Sequence, residues 1–207
     1  MLDMARCVFA LLVLFSFAPI ASAQQPRITL GGAVTVVTQP HSSEEPLGGT
    51  SVGGSVLFGV RVSPRVSIEV EPTVAGELSS DYTYRPSPSL VATVVASRRD
   101  LFVPVQARIH LGVFEPIAGV GIVRSNIARH ATIGHTSYFD DERSDNDLAL
   151  VGGFDLVVRL AANVYLVPTF RARVVPQRAD SSFDPLGEQT RTGMLNLRYG
   201  LGARVAF

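Results

Sequence analysis

Apolar and polar residues alternate with a period of two through most of the chain. The last segment is the plainest. Leu195, Leu197, Tyr199, Leu201, Ala203, Val205 and Phe207 hold the odd positions, while Asn196, Arg198, Gly200, Gly202, Arg204 and Ala206 hold the even ones. Such segregation marks a strand whose two faces meet different surroundings. Seven further segments repeat it. Leu148 to Leu160 alternates with Asp147, Gly153, Asp155 and Arg159; Leu166 to Val174 alternates with Thr169, Arg171 and Arg173. Phe114 to Ile122 alternates with Glu115, Gly119 and Gly121, and Leu101 to Leu111 with Gln106, Arg108 and His110. Val66, Ile68, Val70 and Val74 oppose Ser67, Glu69, Glu71 and Thr73; Val56, Phe58, Val60 and Val62 oppose Ser55, Gly59 and Arg61. Arg27 to Val37 follows the rule weakly. The count is eight.

The connections alternate as well. Three are minimal, around Ser63-Pro64-Arg65, Gly112-Val113 and Ala161-Ala162-Asn163. Four are expected to be long polar loops, at 39–50, 77–97, 127–146 and 176–190. Short turns at one end and long loops at the other predict an all-β, eight-stranded antiparallel up-and-down barrel. That asymmetry is the one shown by transmembrane barrels, whose short turns are periplasmic. Pro72, Pro104, Pro116 and Pro168 fall inside these strands, where each removes a ladder hydrogen bond, so bulges or strand ends are expected there.

Alternation alone does not say which face points outward, because a soluble lipocalin-like barrel gives the same period. The polar face decides. It is rich in Gly, Ala and Ser with isolated Arg, Glu and Asp, as a narrow interior requires, whereas a solvated exterior carries denser polar side chains. The apolar face keeps charge out of the strand centres and ends in register at Phe207. The apolar face is therefore expected to meet lipid.

Residues 1–23 read differently. Arg6 precedes an apolar run, Cys7 to Phe17, too short to span a bilayer, and Ala21-Ser22-Ala23 offers a small-residue cleavage pattern. A secretory signal peptide over 1–23 and a barrel over 24–207 are expected. Cys7, the single cysteine, would leave with the leader, which argues against thiol chemistry and Cys-rich zinc sites. The chain is 46% hydrophobic and 17% charged, which excludes disorder. Basic and acidic residues number 18 each, so no net field attracts nucleic acid. All the basic residues are Arg; P-loop and Schiff-base lysines are absent.

The leader, the eight alternating strands, the Gly-rich polar face and the terminal Leu-x-Tyr-x-Leu-x-Ala-x-Val-x-Phe resemble the small eight-stranded outer-membrane β-barrels, the OmpA-type transmembrane domain and its OmpX- and OmpW-like relatives. The resemblance implies a monomeric barrel in the outer membrane of a Gram-negative cell, surrounded by lipid. It implies periplasmic chaperones and the barrel-assembly machinery as biogenesis partners, with Tyr199 and Phe207 similar to the assembly signal. The absence of Trp departs from the family's aromatic girdle.

Charges on the polar face should pair across the lumen, because unpaired buried charge is too costly. The candidates are Arg61, Arg108, Arg159, Arg171, Arg173, Arg198 and Arg204 against Glu69, Glu71, Glu115 and Asp155. A two-residue turn at Gly112-Val113 sets His110 opposite Glu115, with Arg108 one pleat away. The expectation is a plugged, ion-paired interior; a narrow, slightly anion-favouring pore is the alternative. Other chemistry is thinner. His130 and His135 with the acids at 140–147 suggest loop charge rather than a cation site. His41-x-Ser43 and His135-x-Ser137 match the His-x-Ser spacing of lipid A deacylases but sit in expected loops. Tyr82, Tyr84, Pro86, Pro88, Tyr138 and Phe139 are suited to contacting an external partner. No catalytic residue, cofactor or metal is assigned, and the chain reads as a non-enzyme.

Overall fold

The computed structural model describes residues 28–39, 49–87, 89–176 and 194–207. Eight antiparallel strands form one ring. They are β1 (Ile28–Gln39), β2 (Gly49–Ser63), β3 in three pieces (Val66–Val70, Thr73–Val74 and Leu78–Ser87), β4 (Leu90–Ile109), β5 (Phe114–Ile133), β6 (Thr136–Leu156, continued at Val158–Arg159), β7 (Val164–Val175) and β8 (Met194–Ala206). Each strand pairs with its neighbours in the chain. β8 closes on β1 from Thr29↔Ala206 to Thr38↔Leu197, which removes the sheet edges.

The pairing fixes the barrel's dimensions. Partners traced from Ile28 through Val60, Ile68, Ala107, Ala118, Gly152, Ala172 and Leu197 return to Thr38, ten residues further along β1. With ~3.3 Å per residue and ~4.8 Å between strands, that stagger gives a tilt of about 40° and a radius of about 8 Å. An interior that narrow is filled by side chains.

The two faces are the reverse of a soluble barrel. Val34, Val56, Val105, Val120, Ile122, Leu148, Leu150 and Leu201 point outward and are exposed. Glu69, Glu71, Arg108, Glu115, Asp155 and Arg171 point inward and are buried. Outward apolar residues run from Leu101 on β4 to Leu111 just past its end, which at this tilt covers about 25 Å along the axis, the height of a transmembrane band. This is a transmembrane barrel by the solvent that it needs.

The three short turns lie where the sequence sets them. Gly112 carries the left-handed φ of 85° that the tight β4–β5 turn demands, and Leu111 bridges Phe114 across it. Two of the four expected long loops are not loops. Residues 77–97 and 127–146 mostly continue the ladder as β-hairpins, with Thr93↔Thr132 and Ala131↔Phe139 still paired far above the apolar band. The tip of the second is a tight turn at Gly134, with φ of 62°. Alternation fails to announce these hairpins for a physical reason. Ala92, Val94 and Ala96 face in while Val91 and Val95 face out, so both faces of β4 are apolar there; Asp140 to Asn146 on β6 are polar on both. The other two expected loops fall largely on residues 40–48 and 177–193, outside the described residues.

Of the strand prolines, Pro72 sits in a gap of β3, where its carbonyl still accepts the Val56 N–H at 3.0 Å. Pro104, Pro116 and Pro168 remain within strands.

The depth of each outward residue yields a test. Val120 lies midway up the band, whereas Leu156 pairs with Phe114 at the short-turn rim. Val120→Arg should cost about 2–4 kcal/mol of folding stability in vesicles and Leu156→Arg about 0–1. Urea titration of heat-modifiable gel mobility measures both; equal costs would contradict this depth assignment.

Candidate functional site

The lumen holds the chemistry, arranged in levels along the axis. Nearest the short turns, Arg108 of β4 is the hub. Its Nε and Nη2 each donate to Glu69 of β3 at 2.7 Å, a bidentate clamp. Its Nη1 donates to Glu115 of β5 at 3.2 Å and to Asp155 of β6. Arg204 of β8 spans the same two acids, at 2.7 Å to Glu115 and 2.9 Å to Asp155. His110 closes this level, with Nδ1 2.6 Å from Glu115. The turn register expected from Gly112-Val113 accounts for that contact.

The next level centres on Glu71. It accepts from Arg198 of β8, from Arg171 of β7 at 3.3 Å and from Gln106 at 3.0 Å. Arg171 also donates to Asp155 at 2.6 Å, which ties the two levels together. Arg198 donates its other terminal nitrogen to Thr73. Highest is Asp100, which accepts from Arg98 at 2.8 Å, from Ser125 at 2.9 Å and from Arg173, whose guanidinium lies 5.3 Å from the Phe102 ring centroid. An apolar layer of Phe102, Val123, Ala149, Val151, Val175 and Met194 packs around it.

β1 and β2 bring no charge to these levels. They bring small residues. A Cβ at Gly59 would lie 2.9 Å from Cγ of Glu69, so the glycine makes room for the acid that clamps Arg108.

Nine of the sequence-derived candidates therefore meet in one network: Glu69, Glu71, Arg108, His110, Glu115, Asp155, Arg171, Arg198 and Arg204. A tenth, Arg173, joins the separate Asp100 cluster. Two join neither. Arg159 is a correction: the ladder breaks at Val157, whose N–H bonds to Val113, and the exposed Arg159 donates to the carbonyls of Ala161 and Ala162 at 3.1 and 3.0 Å. It braces the turn outside the lumen. Arg61 is half-buried beside the irregularity between Arg61 and Ser63, and has no ion pair among the described residues. Arg98, Asp100, Gln106, Thr73 and Ser125 were missed. Arg98 and Asp100 share the even parity of Gln106 and Arg108, a signal that was available.

One arrangement has the connectivity of an acyl-transfer triad. Ser67 Oγ lies 3.1 Å from Nε2 of His110, whose Nδ1 meets Glu115. Its geometry serves structure instead. Ser67 is 1% exposed and also bonds to Glu69 at 3.1 Å, so no substrate carbonyl reaches its oxygen.

Outside the lumen, His130 lies 3.4 Å from Asp140, and no group of three or more metal-binding side chains gathers among the described residues. His135 and Ser137 are exposed near the tip of the second hairpin, where Tyr138 and Phe139 meet edge to face. Tyr82, Tyr84 and Pro86 lie on the last piece of β3; His41, Ser43 and Pro88 lie outside the described residues. Arg99 and Glu77 form an exposed pair at 2.6 Å, and the guanidinium holds the Glu77 carboxyl below its usual range.

No family model matches the chain, and no curated protein does. Solved structures do. The attachment invasion locus protein Ail of Yersinia pestis, in complex with the heparin analogue sucrose octasulfate, matches with a TM-score of 0.50 at 9% identity, over 89% of this chain and 100% of Ail. A second Ail structure matches with a TM-score of 0.50 at 11% identity, over 88% and 97%. A major outer membrane protein from Thermus thermophilus gives 0.49 at 15% identity, over 86% and 99%. At such identities the likeness is one of fold, and that fold is the small eight-stranded outer-membrane barrel.

The burial of the hub makes its removal costly. Arg108→Met leaves Glu69 with no arginine, and should lower stability by about 3–5 kcal/mol. Arg99→Ala, at an exposed pair, should leave the urea midpoint unchanged. Comparable losses in the two variants would contradict the ranking.

Proposed function

We propose that this is a non-enzymatic outer-membrane barrel, exported by a cleaved leader over residues 1–23, whose lumen is shut by its own ion pairs. Its role is structural, or lies in surface contact through the segments beyond the membrane. The observation that carries this is the set of buried ion pairs crossing the interior at three levels: a linked network of Arg108, Arg171, Arg198 and Arg204 with Glu69, Glu71, Glu115 and Asp155, and above it a cluster of Arg98 and Arg173 on Asp100. A conducting path needs a continuous file of water. Among the described residues, two lumen cavities of about 30 and about 20 Å³ have space for on the order of one to three waters each.

The outward apolar band supports lipid as the surrounding phase and a monomer as the working form. Phe207 donates its N–H to Ile28 at 2.9 Å, which pins the end of β8 to the first described residue of β1. That is the seam an assembly machinery must close, and it agrees with Tyr199 and Phe207 serving as the assembly signal. The two projecting hairpins, with exposed Tyr138 and His135, offer the surface for an external partner.

Planar-bilayer recording on the refolded barrel tests the closed lumen. The wild type should show no steady conductance, and Arg108→Ala combined with Arg204→Ala should open discrete channel events. Steady conductance by the wild type would overturn the reading in favour of a narrow pore.

A further inference from the structure

We propose that Arg99 and Arg124, on the outward margin of β4 and β5, bind the phosphomonoester of an outer-leaflet lipid. This rests on the reading of the chain as a membrane barrel, and it holds whether or not the lumen conducts. On β4 the outward apolar run ends at Leu101 and on β5 at Ile122; the next outward residues are Arg99 and Arg124. The corresponding steps on β1, β2 and β6 carry uncharged Thr38, Thr50 and Asn146. This margin lies away from the short turns, which are periplasmic in such barrels, so it meets the outer leaflet.

The register sets the two arginines side by side. Leu101 pairs with Arg124 and Arg99 with Asn126, so the arginines are diagonal neighbours on one face, about 7–8 Å apart at Cα. Arg124 is exposed and makes no ion pair or side-chain hydrogen bond among the described residues. Arg99 gives Nε and Nη2 to Glu77 at 3.0 and 2.6 Å, which leaves Nη1 to donate elsewhere. Ser144 donates to Asn126 Oδ1 at 2.6 Å, so the exposed Asn126 NH₂ is a further donor beside them.

Charge and depth select the ligand. Counting Glu77, the margin keeps one net positive charge. The next outward acids, Asp81 and Glu142, pair with Val95 and Ala128, two pleats further from the apolar band. Arginines at the edge of an apolar band extend their heads to headgroup level, where phosphate is the anion on offer. A phosphomonoester carries roughly two negative charges and three acceptor oxygens, which suits two guanidinium groups better than a singly charged diester. Spacing puts Arg124 on the apolar face, but only the β4–β5 register brings Arg99 beside it.

The test compares the refolded full barrel in phosphatidylcholine vesicles containing diphosphoryl lipid A with the same vesicles containing its dephosphorylated form. The heat-conversion midpoint of the gel band should be higher by about 3 °C with the phosphorylated lipid, since a ligand bound only to the folded state stabilises it. Arg99→Gln combined with Arg124→Gln should still insert and lose that shift. In phosphatidylcholine alone the same variant should match the wild type, as exposed arginines contribute little. Glu77→Gln, which releases Arg99, should enlarge the shift. Phosphatidylglycerol and free inorganic phosphate should each give none. Equal midpoints with the two forms of lipid A, or a double variant that keeps the full shift, would overturn the site. An equal shift with phosphatidylglycerol would overturn the monoester, and one with inorganic phosphate would overturn the lipid. The two readings fail separately: a chain with no heat-modifiable form in vesicles sinks the membrane barrel, whereas an inserted barrel indifferent to lipid phosphate sinks only the site.

Discussion

Charge buried in a narrow tube must find opposite charge within the tube. A radius of about 8 Å leaves no room to hydrate six arginines, so each position facing the lumen is constrained by the one across from it. The consequences reach the whole chain. The ring stagger of ten residues brings Glu69, Arg108, Glu115, Asp155 and Arg204 to one level although they come from five strands. The glycine at position 59 exists beside an acid that needs its space. The outward face of the band is apolar, with Arg124 at its edge opposite Leu101, which is what lipid requires.

The interior is not uniform. Acids shared between arginines dominate near the short turns, where Asp155 serves Arg108, Arg171 and Arg204. Toward the other end the pairs thin to Asp100 with Arg98 and Arg173, set in an apolar layer. Beyond the band, the sheet continues as two hairpins whose charges, such as Arg99 with Glu77, face water and contribute little to stability. The barrel thus concentrates its shared ion pairs near the short turns and places its exposed pairs beyond the band.

Much of this was legible in the chain. Strict alternation gave the strands, and the tight turn at Gly112-Val113 gave the His110–Glu115 contact, because a two-residue turn leaves one register. The Gly-rich polar face gave the inside. Other features were hidden for physical reasons. Residues 90–97 are apolar on both faces and 140–146 polar on both, so the period that reports a strand vanishes where the two surroundings become alike. Arg159 was misplaced because parity counting passes through the break at Val157 without noticing it. Arg98 and Asp100 were overlooked because they lie against a segment read as loop, although their parity matched Arg108.

The central claim is that the lumen charges act as coupled pairs rather than as independent polar fillers. A double-mutant cycle on Glu71 and Arg198 tests it most directly, using Glu71→Gln, Arg198→Met and their combination in urea unfolding from vesicles. Coupling of at least about 1 kcal/mol is predicted, with the double variant losing less than the sum of the single losses. Strict additivity would contradict the account, since it would mean that neither side chain depends on the other for its place in the barrel.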